Sequence, residues 1–373
     1  MFLIRQAKAE DVSTLLQLAR MVYFISLPPD ERLLAGKVQH SRDCFLRVAS
    51  GGTAETQPVP PDVIAGYTAD DSDLFMFVIE DTATGGVIGT AQLKAHMGGP
   101  GNPNYSFKVT QREFKSKSLG FGTTHLVGRL FKDESSPTEV GGLLLQPAFR
   151  GHRDRPGRFL SFSRFHFIAL HRDVFAERVI AEMAPDTTSG GDNLFWDHVG
   201  RKFIPVKYSE ADRFCQHNRQ FIEELFPPDD IYLTLLPLEV LNRVGQAGPD
   251  TIPAKRLLER LGFRYNNFVD PFDGGPHIEA ETGEITLVKA PVRKPLGSAI
   301  ESSRATHRAM ISVFHKDGEF RLLDTDVAIT DAKVRTSAKA MELLLAKPGM
   351  IAGVTPIEDY SAPKPRKSRA KKG

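Results

Sequence analysis

The stretch from Thr138 to Arg164 constrains this chain most. Its apolar run, Val140 to Leu145, is short and bounded by Pro147, which predicts a buried strand. Arg150, Gly151, Arg153, Arg155, Gly157 and Arg158 follow, and then Phe159, Leu160, Phe162, Phe165, Ile168 and Ala169 recur at helical spacing. A strand, a loop rich in glycine and arginine, and a helix start together make an anion site. Free backbone N–H groups and the positive helix end face one spot, and glycine lets a phosphate approach the main chain. The same residues also read as an ordinary strand-to-helix turn with solvated arginines.

Elsewhere the pattern mixes strands and helices. Ile4 to Val12, followed by Leu15, Leu16, Leu18 and Ala19, predicts a strand, a capped turn and an amphipathic helix. A helix is expected from Glu31 to Arg47. Phe75–Glu80 and Val87–Lys94 read as a hairpin around a Gly85-Gly86 turn, and Tyr105–Val109 and Val179–Met183 as further strands. Pro253 to Tyr265 reads as a helix stopped by Gly262 and then a strand. After Pro276 the texture changes: Glu284–Val288, Met310–His315 and Phe320–Asp324 look like short strands, and Ser337–Ala346 like a helix. The expected division is therefore a main domain over 1–280, a small mostly-β appendage over 281–355 and a disordered basic tail over 356–373.

With 373 residues and a formal charge of +2, no overall field draws the protein to nucleic acid. Six positive charges lie after Asp359, so a mildly acidic body carries the basic tail. That tail has the charge to touch nucleic acid, yet a solubilising role without a partner accounts for it more simply. Cys44 and Cys215 make neither a disulfide framework nor a metal pair, which suits a reducing cytoplasm. The N-terminus runs from Met1-Phe2-Leu3-Ile4 straight into Arg5, reading as a strand rather than a leader, and no apolar stretch would span a bilayer.

Three pieces in order (the N-terminal strand and helix, the arginine-glycine loop, and the Pro253–Tyr265 unit) resemble the GNAT acyltransferase superfamily. A closer resemblance, over residues 1 to about 280, is to the arginine N-succinyltransferase family. It rests on Ser26-Leu27-Pro28, Gly85 to Gly89, Ser161 to Phe165, Ala181-Glu182-Met183, Phe195-Trp196, Ala211-Asp212, Phe221 to Leu225, Gly245-Gln246 and, most specifically, Phe272-Asp273-Gly274-Gly275-Pro276. The resemblance implies an α+β fold with a GNAT-type mixed, largely antiparallel sheet flanked by helices. It also implies succinyl-CoA as co-substrate, no permanently bound cofactor, no metal, and transfer to the α-amino group of arginine. Assembly as a homo- or hetero-oligomer is a further expectation.

Such a reaction needs an amine that has lost its proton, donors for the tetrahedral oxyanion, and charge partners for both substrates. The resemblance places the pyrophosphate at Arg150, Gly151, Gly157 and Arg158, with Leu143 and its neighbour Leu144 against the acyl-CoA. Ser26, Glu182 and Asp273 are candidates for the amine. Glu182 is expected either to grip a cationic group or to pair internally with Arg164, and Asp273 followed by Gly-Gly also reads as turn grammar. Glu139 and His277 are the candidates for proton transfer, although a solvated strand-end charge for Glu139 and a satisfied surface histidine for His277 account for them more simply. The family's proposed proton-donating histidine is Gly248 here, a second family histidine is Glu134, the arginine after Ala-Glu-Met is Ala184, and a glycine-rich segment has become Val22 to Ile25. Alternatives therefore stand beside arginine succinylation: another amine or acyl donor, or a non-catalytic acyl-CoA-binding homologue.

Overall fold

β1 (Phe2–Gln6) is buried at all five positions, so it must lie inside a sheet with its polar members paired. In the computed structural model, which describes residues 1–21, 27–51, 72–186, 193–215 and 219–359, β1 has a strand on each side. Arg5 stays in this buried strand because Asp11 accepts from it at 2.7 and 3.0 Å and Glu80 at 3.0 Å.

After β1 come α1 (Val12–Ala19), α2 (Glu31–Ala49), β2 (Leu74–Asp81), β3 (Gly86–Lys94), β4 (Asn104–Ser116), β5 (Phe121–Asp133), β6 (Thr138–Leu145), α3 (Pro156–Leu170) and β7 (Arg178–Glu182). A helical region includes α4 (Tyr208–Phe214) and α5 (Gln220–Leu225), then β8 (Ile231–Tyr232), α6 (Ile252–Leu261), β9 (Arg264–Val269) and β10 (Pro276–Glu281). The chain continues through β11 (Val292–Pro295), β12 (His307–Phe314), β13 (Phe320–Ile329), β14 (Val334–Thr336), α7 (Ala338–Leu343) and β15 (Ile351–Asp359). These strands form one sheet in the order β11-β15-β12-β13-β1-β2-β3-β6-β7-β10-β9-β4-β5-β8, with β14 on β13. Among the paired strands described, β6–β7 is the parallel pair and the rest run antiparallel, giving the expected mixed α+β architecture.

Strand alternation sorts the side chains by face. Val179, Ala181, Ile278 and Ala280 point into the main core, where Phe159, Leu160, Phe165, Phe167 and Ile168 of α3 and Leu258 and Leu261 of α6 cover them. The helical region forms its own apolar cluster, with Trp196, Ala211, Cys215 and Ile222 against Phe107, Val269 and Phe272.

Several expectations need correction. Glu284–Val288 is not a strand: Thr282–Glu284 is a 3₁₀ turn, and Ile285 and Leu287 are drawn into the core from it. β15 reaches Asp359, and Ala309 pairs with Pro356, so the tail drawn from residue 356 begins inside a strand. The basic residues from Lys364 onward lie outside the described residues. The strand expected at Tyr105–Val109 is the base of a long hairpin, β4–β5, whose end exposes Phe114, Leu119 and Phe121.

The C-terminal strands join the sheet through β13 against β1 and also pack on α3. Buried His166 of α3 lies 2.6 Å from the Thr355 hydroxyl and 2.7 Å from that of Ser312. Burial pushes its imidazole down to about 3, so it is neutral, and the two hydroxyls satisfy one donating and one accepting nitrogen. Ser312→Ala leaves one nitrogen buried without a partner and should cost about 1–3 kcal/mol. Urea unfolding of the two proteins measures this; equal midpoints would mean that the histidine needs only Thr355.

Candidate active site

β6 and β7 pair over only two positions, Thr138 with Val179 and Glu139 with Ile180. Beyond these, β6 stays with β3 and β7 with β10, so the sheet opens between them. A bulge shapes the β6 side: Gln92 faces Gly141 and Thr90 faces Leu144, leaving two residues opposite Ala91. Gly142 takes φ +55 there, and a Cβ on it would lie 2.8 Å from the Gln92 side chain, so glycine is required.

The bulge also reverses the strand's alternation. Leu143 and Leu145 pack beside the α3 core. Leu144 turns into the opposite apolar layer with Leu15, Met76 and Val78, which leaves only its main chain for a cofactor.

Arg164 of α3 braces the bulge. Its Nη1 donates to the Gly141 carbonyl at 3.3 Å and its Nη2 to Ser161 Oγ at 2.9 Å. The guanidinium is fully buried without a carboxylate in contact, and burial pushes it down to about 9. The expected internal pair with Glu182 does not form.

The arginine-glycine loop follows β6 directly. Gly151 adopts φ +75, and Arg155, in the left-handed region at φ 50, precedes Pro156 at the first helical position. Gly157 sits against Leu145: a Cβ there would lie 3.4 Å from the leucine. Arg158 rests over the Phe162 ring at 5.5 Å and pairs with no carboxylate among the described residues. Arg150 makes only a 3.3 Å surface contact with Asp250, which an anionic ligand can displace.

On the sheet face away from α3, alternation aligns Glu139, Glu182 and His277. Glu139 stands opposite Ile180, two residues before Glu182, and His277 stands opposite Glu182. His277 is not the surface histidine that its sequence neighbours allowed, since its side chain is 8% exposed. Its Nε2 has no hydrogen-bond partner and lies 3.8 Å from both Glu182 Oε1 and Asp270 Oδ2. Burial opposes the imidazolium, but Glu182, Asp270 and Glu139 outweigh it and raise its pKa. Burial raises that of Glu182, with Glu139 and Asp270 adding to the effect and His277 opposing it.

Asn104 donates to Glu182 at 3.4 Å and accepts from Arg219 at 3.3 Å. Asp212 completes an acidic wall from the helical side. Its Oδ1 is buried without a partner, and burial, with the charge of Asp270, pushes the carboxyl up to about 7.

The Phe272–Pro276 turn is held from all sides. Asp270 Oδ1 accepts from the N–H groups of Phe272 and Asp273 at 2.7 and 3.0 Å, and Asp273 Oδ1 from Gly275 at 2.7 Å. Phe272 stacks on Trp196 at 4.9 Å. A Cβ on Gly275 would meet the Met183 carbonyl at 2.4 Å, and one on Gly274 the Phe195 ring at 2.9 Å. Asp273 thus shapes the turn and presents its other oxygen to the same acidic group; burial first, then Asp270, raises its pKa.

Sequence reasoning missed Asp270, Arg219 and Asn104. Only Asp270, two residues before the Phe-Asp-Gly-Gly-Pro string, carried a local hint. Ser26 lies outside the described residues, and Glu134 is exposed, accepting only from Gly101 at 3.4 Å. Gly248 is buried and donates to the Ala184 carbonyl at 3.0 Å. A Cβ there would lie 2.7 Å from the Pro185 main chain, so no histidine can be seated without moving the backbone.

Residues 2–287 match the family model described as "Arginine N-succinyltransferase beta subunit". Arginine N-succinyltransferases of Citrobacter koseri and Escherichia coli are each 32% identical over 292 residues, covering 78% of this chain and 78% of theirs. The solved structure of arginine/ornithine succinyltransferase subunit AI from Pseudomonas aeruginosa superposes with a TM-score of 0.75 at 24% identity, over 95% of this chain and 98% of that one.

Asp212 titrates near 7 in the folded protein, against roughly 3.9 for an unfolded aspartate. The folded state therefore holds an extra proton between those values, and this group makes stability fall as pH rises across that window. Asp212→Asn should raise the melting temperature at pH 7.5, and the gain should vanish by about pH 4. An equal difference at both pH values would show that the carboxyl is not the cause.

Proposed function

Because the chain belongs to the arginine N-succinyltransferase family, we propose that it transfers the succinyl group of succinyl-CoA to the α-amino group of arginine. The observation that carries the reading is the acidic group of Glu182, Asp270, Asp273 and Asp212 beside the parting of β6 and β7, with the loop after β6 leading to an arginine-bearing helix start. Arginine brings two cations, an ammonium and a guanidinium, and half-buried carboxylates are their natural partners. In this proposal Glu182 and Asp273 bind the amine, with Ser26 as a further candidate. Arg150, Gly151, Gly157 and Arg158 hold the pyrophosphate, and Leu143, with the main chain of Leu144, lines the acyl-CoA channel. Arg219 meets the free carboxylate of the succinyl group.

The chemistry follows from the charges. A carboxylate with a raised pKa is a better base for an ammonium, so Glu182, assisted by Glu139, takes the proton. The freed amine attacks the thioester carbonyl carbon, and main-chain groups released by the bulge at Gly142 face the oxyanion. Collapse breaks the C–S bond, and the His277 imidazolium protonates the departing thiolate. Proton transfer thus needs no histidine at Gly248, which favours an enzyme over an acyl-CoA-binding homologue without turnover.

We place the enzyme in the cytoplasm, in keeping with free, buried Cys44 and Cys215. No helix among the described residues is long and apolar enough to cross a membrane. Assembly into a homo- or hetero-oligomer through the exposed end of the β4–β5 hairpin is part of the same proposal. Phe114, Leu119 and Phe121 are 45%, 68% and 61% exposed there. Sedimentation of the purified chain should show more than a monomer, and Phe121→Asp should shift it toward monomer; an intact protein that sediments as a monomer, unchanged by the substitution, removes self-assembly through this hairpin.

A thiol-release assay crossing succinyl-, acetyl- and glutaryl-CoA with arginine, ornithine and lysine tests the reaction. Succinyl-CoA with arginine should be the best pair, and Arg219→Gln should erase the preference for succinyl over acetyl. Replacing Arg150 and Arg158 together by alanine should weaken CoA binding more than about tenfold at low salt. Glu182→Gln should lower kcat by about 10²–10⁴. Full turnover in the Glu182 variant would remove it as base, and no turnover with any pair would leave the non-catalytic homologue.

A further inference from the structure

The acidic group has a second property that ammonium binding does not require. His277 Nε2, Glu182 Oε1 and Asp270 Oδ2 converge, with the three ligand atoms within 4.8 Å of one another. Two of the separations are 3.8 Å, both from the imidazole. Ligand atoms around a four-coordinate ion with bonds of about 2.0–2.1 Å lie roughly 3.4 Å apart, so each of the two imidazole separations exceeds that spacing by only about 0.4 Å. Convergent carboxylates alone are common on proteins. Here the imidazole is 8% exposed, its Nε2 has no hydrogen-bond partner, and it is aimed at both carboxylates.

Other features anchor these groups before any ion arrives. Asp270 Oδ1 is committed to the N–H groups of Phe272 and Asp273, which leaves Oδ2 turned inward. Asn104 holds Glu182. His277 and Glu182 sit opposite each other on adjacent paired strands, so their backbones cannot drift apart. Such preset donors lower the ordering cost of binding. Binding an ion displaces the imidazolium proton, after which the two carboxylates outweigh Arg219, the nearby opposing charge held through Asn104.

We propose that Glu182, Asp270 and His277 form a three-ligand site for a borderline divalent transition ion of the zinc class, and that this ion inhibits the enzyme by occupying the place of the substrate's ammonium. One nitrogen and two carboxylate oxygens suit zinc better than magnesium or calcium, which take all-oxygen sets. Three protein ligands leave one position open, which water fills. The ion-binding half stands on geometry alone, whereas the inhibition half rests on the amine assignment made above.

The test begins without substrate. The intact protein is titrated with zinc chloride against a chromogenic chelator, and separately with cobalt(II) while the visible absorption is recorded. One ion per chain is expected, with the intense cobalt band of a four-coordinate site. His277→Gln and Glu182→Gln should each weaken zinc at least tenfold, while His125→Gln, on the distant hairpin, should leave it unchanged. If His277→Gln does not fold, as judged by its thermal melt, the Glu182 variant decides. Zinc affinity equal in wild type and in a folded ligand variant, or no cobalt band, overturns the site. In the acyl-transfer assay, zinc should raise the KM for arginine with kcat unchanged, and a chelator should restore it. Stoichiometric binding without that competition would keep the ion site and overturn the amine assignment.

Discussion

The short parallel contact between β6 and β7 is the constraint on which the rest depends. Two residue pairs hold the strands together, and then each follows a different antiparallel neighbour. A sheet parted in its middle exposes main-chain polar groups and must be kept open by something rigid. The bulge at Gly142 and the buried Arg164 beneath it do this, one by bending β6 and the other by tying its carbonyl to α3. Because the same helix begins at the arginine-glycine loop, the parting of the strands and the arginine-bearing helix end are fixed by one piece of structure.

On the other side of the opening, burial works on charge. Burial, with the nearby charges of Glu139 and Asp270 adding to it, raises the affinity of Glu182, Asp212 and Asp273 for protons, while His277 and Arg219 oppose it at Glu182. Such an arrangement is costly for stability and useful for recognising cations. The Phe272–Pro276 turn makes it affordable. Its glycines let it press against Met183 and Phe195, and Asp273 and the preceding Asp270 each direct one oxygen to main-chain N–H groups.

The strand, loop and helix from Thr138 to Leu170 were legible in the sequence because each has a local signature: an apolar run, glycine with arginine, and helical spacing. So was the Phe-Asp-Gly-Gly-Pro turn. What local pattern could not supply was depth and register. Nothing beside His277 in sequence shows its depth, yet it lies across from Glu182 on a strand whose other face is core. Asp270, Asn104 and Arg219 come from three separate elements and meet only in the folded chain. Leu144 is grouped with Leu143 because adjacency does not reveal a bulge, and a tail drawn from residue 356 misses β15, in which Pro356 pairs with Ala309 beside a register shift.

The pairing of β1 with β13 joins residues 3–5 to residues 321–323. A strand in the middle of the sheet thus acquires its second neighbour only after more than three hundred further residues have been made. Contacts of such sequence separation are slow to form, and a half-paired apolar strand is prone to find the wrong edge. During synthesis the N-terminal part of this chain must wait, with one side of β1 open, for a segment that the ribosome has yet to release. The sheet that parts at β6 and β7 can therefore be completed only after the last third of the chain has been made.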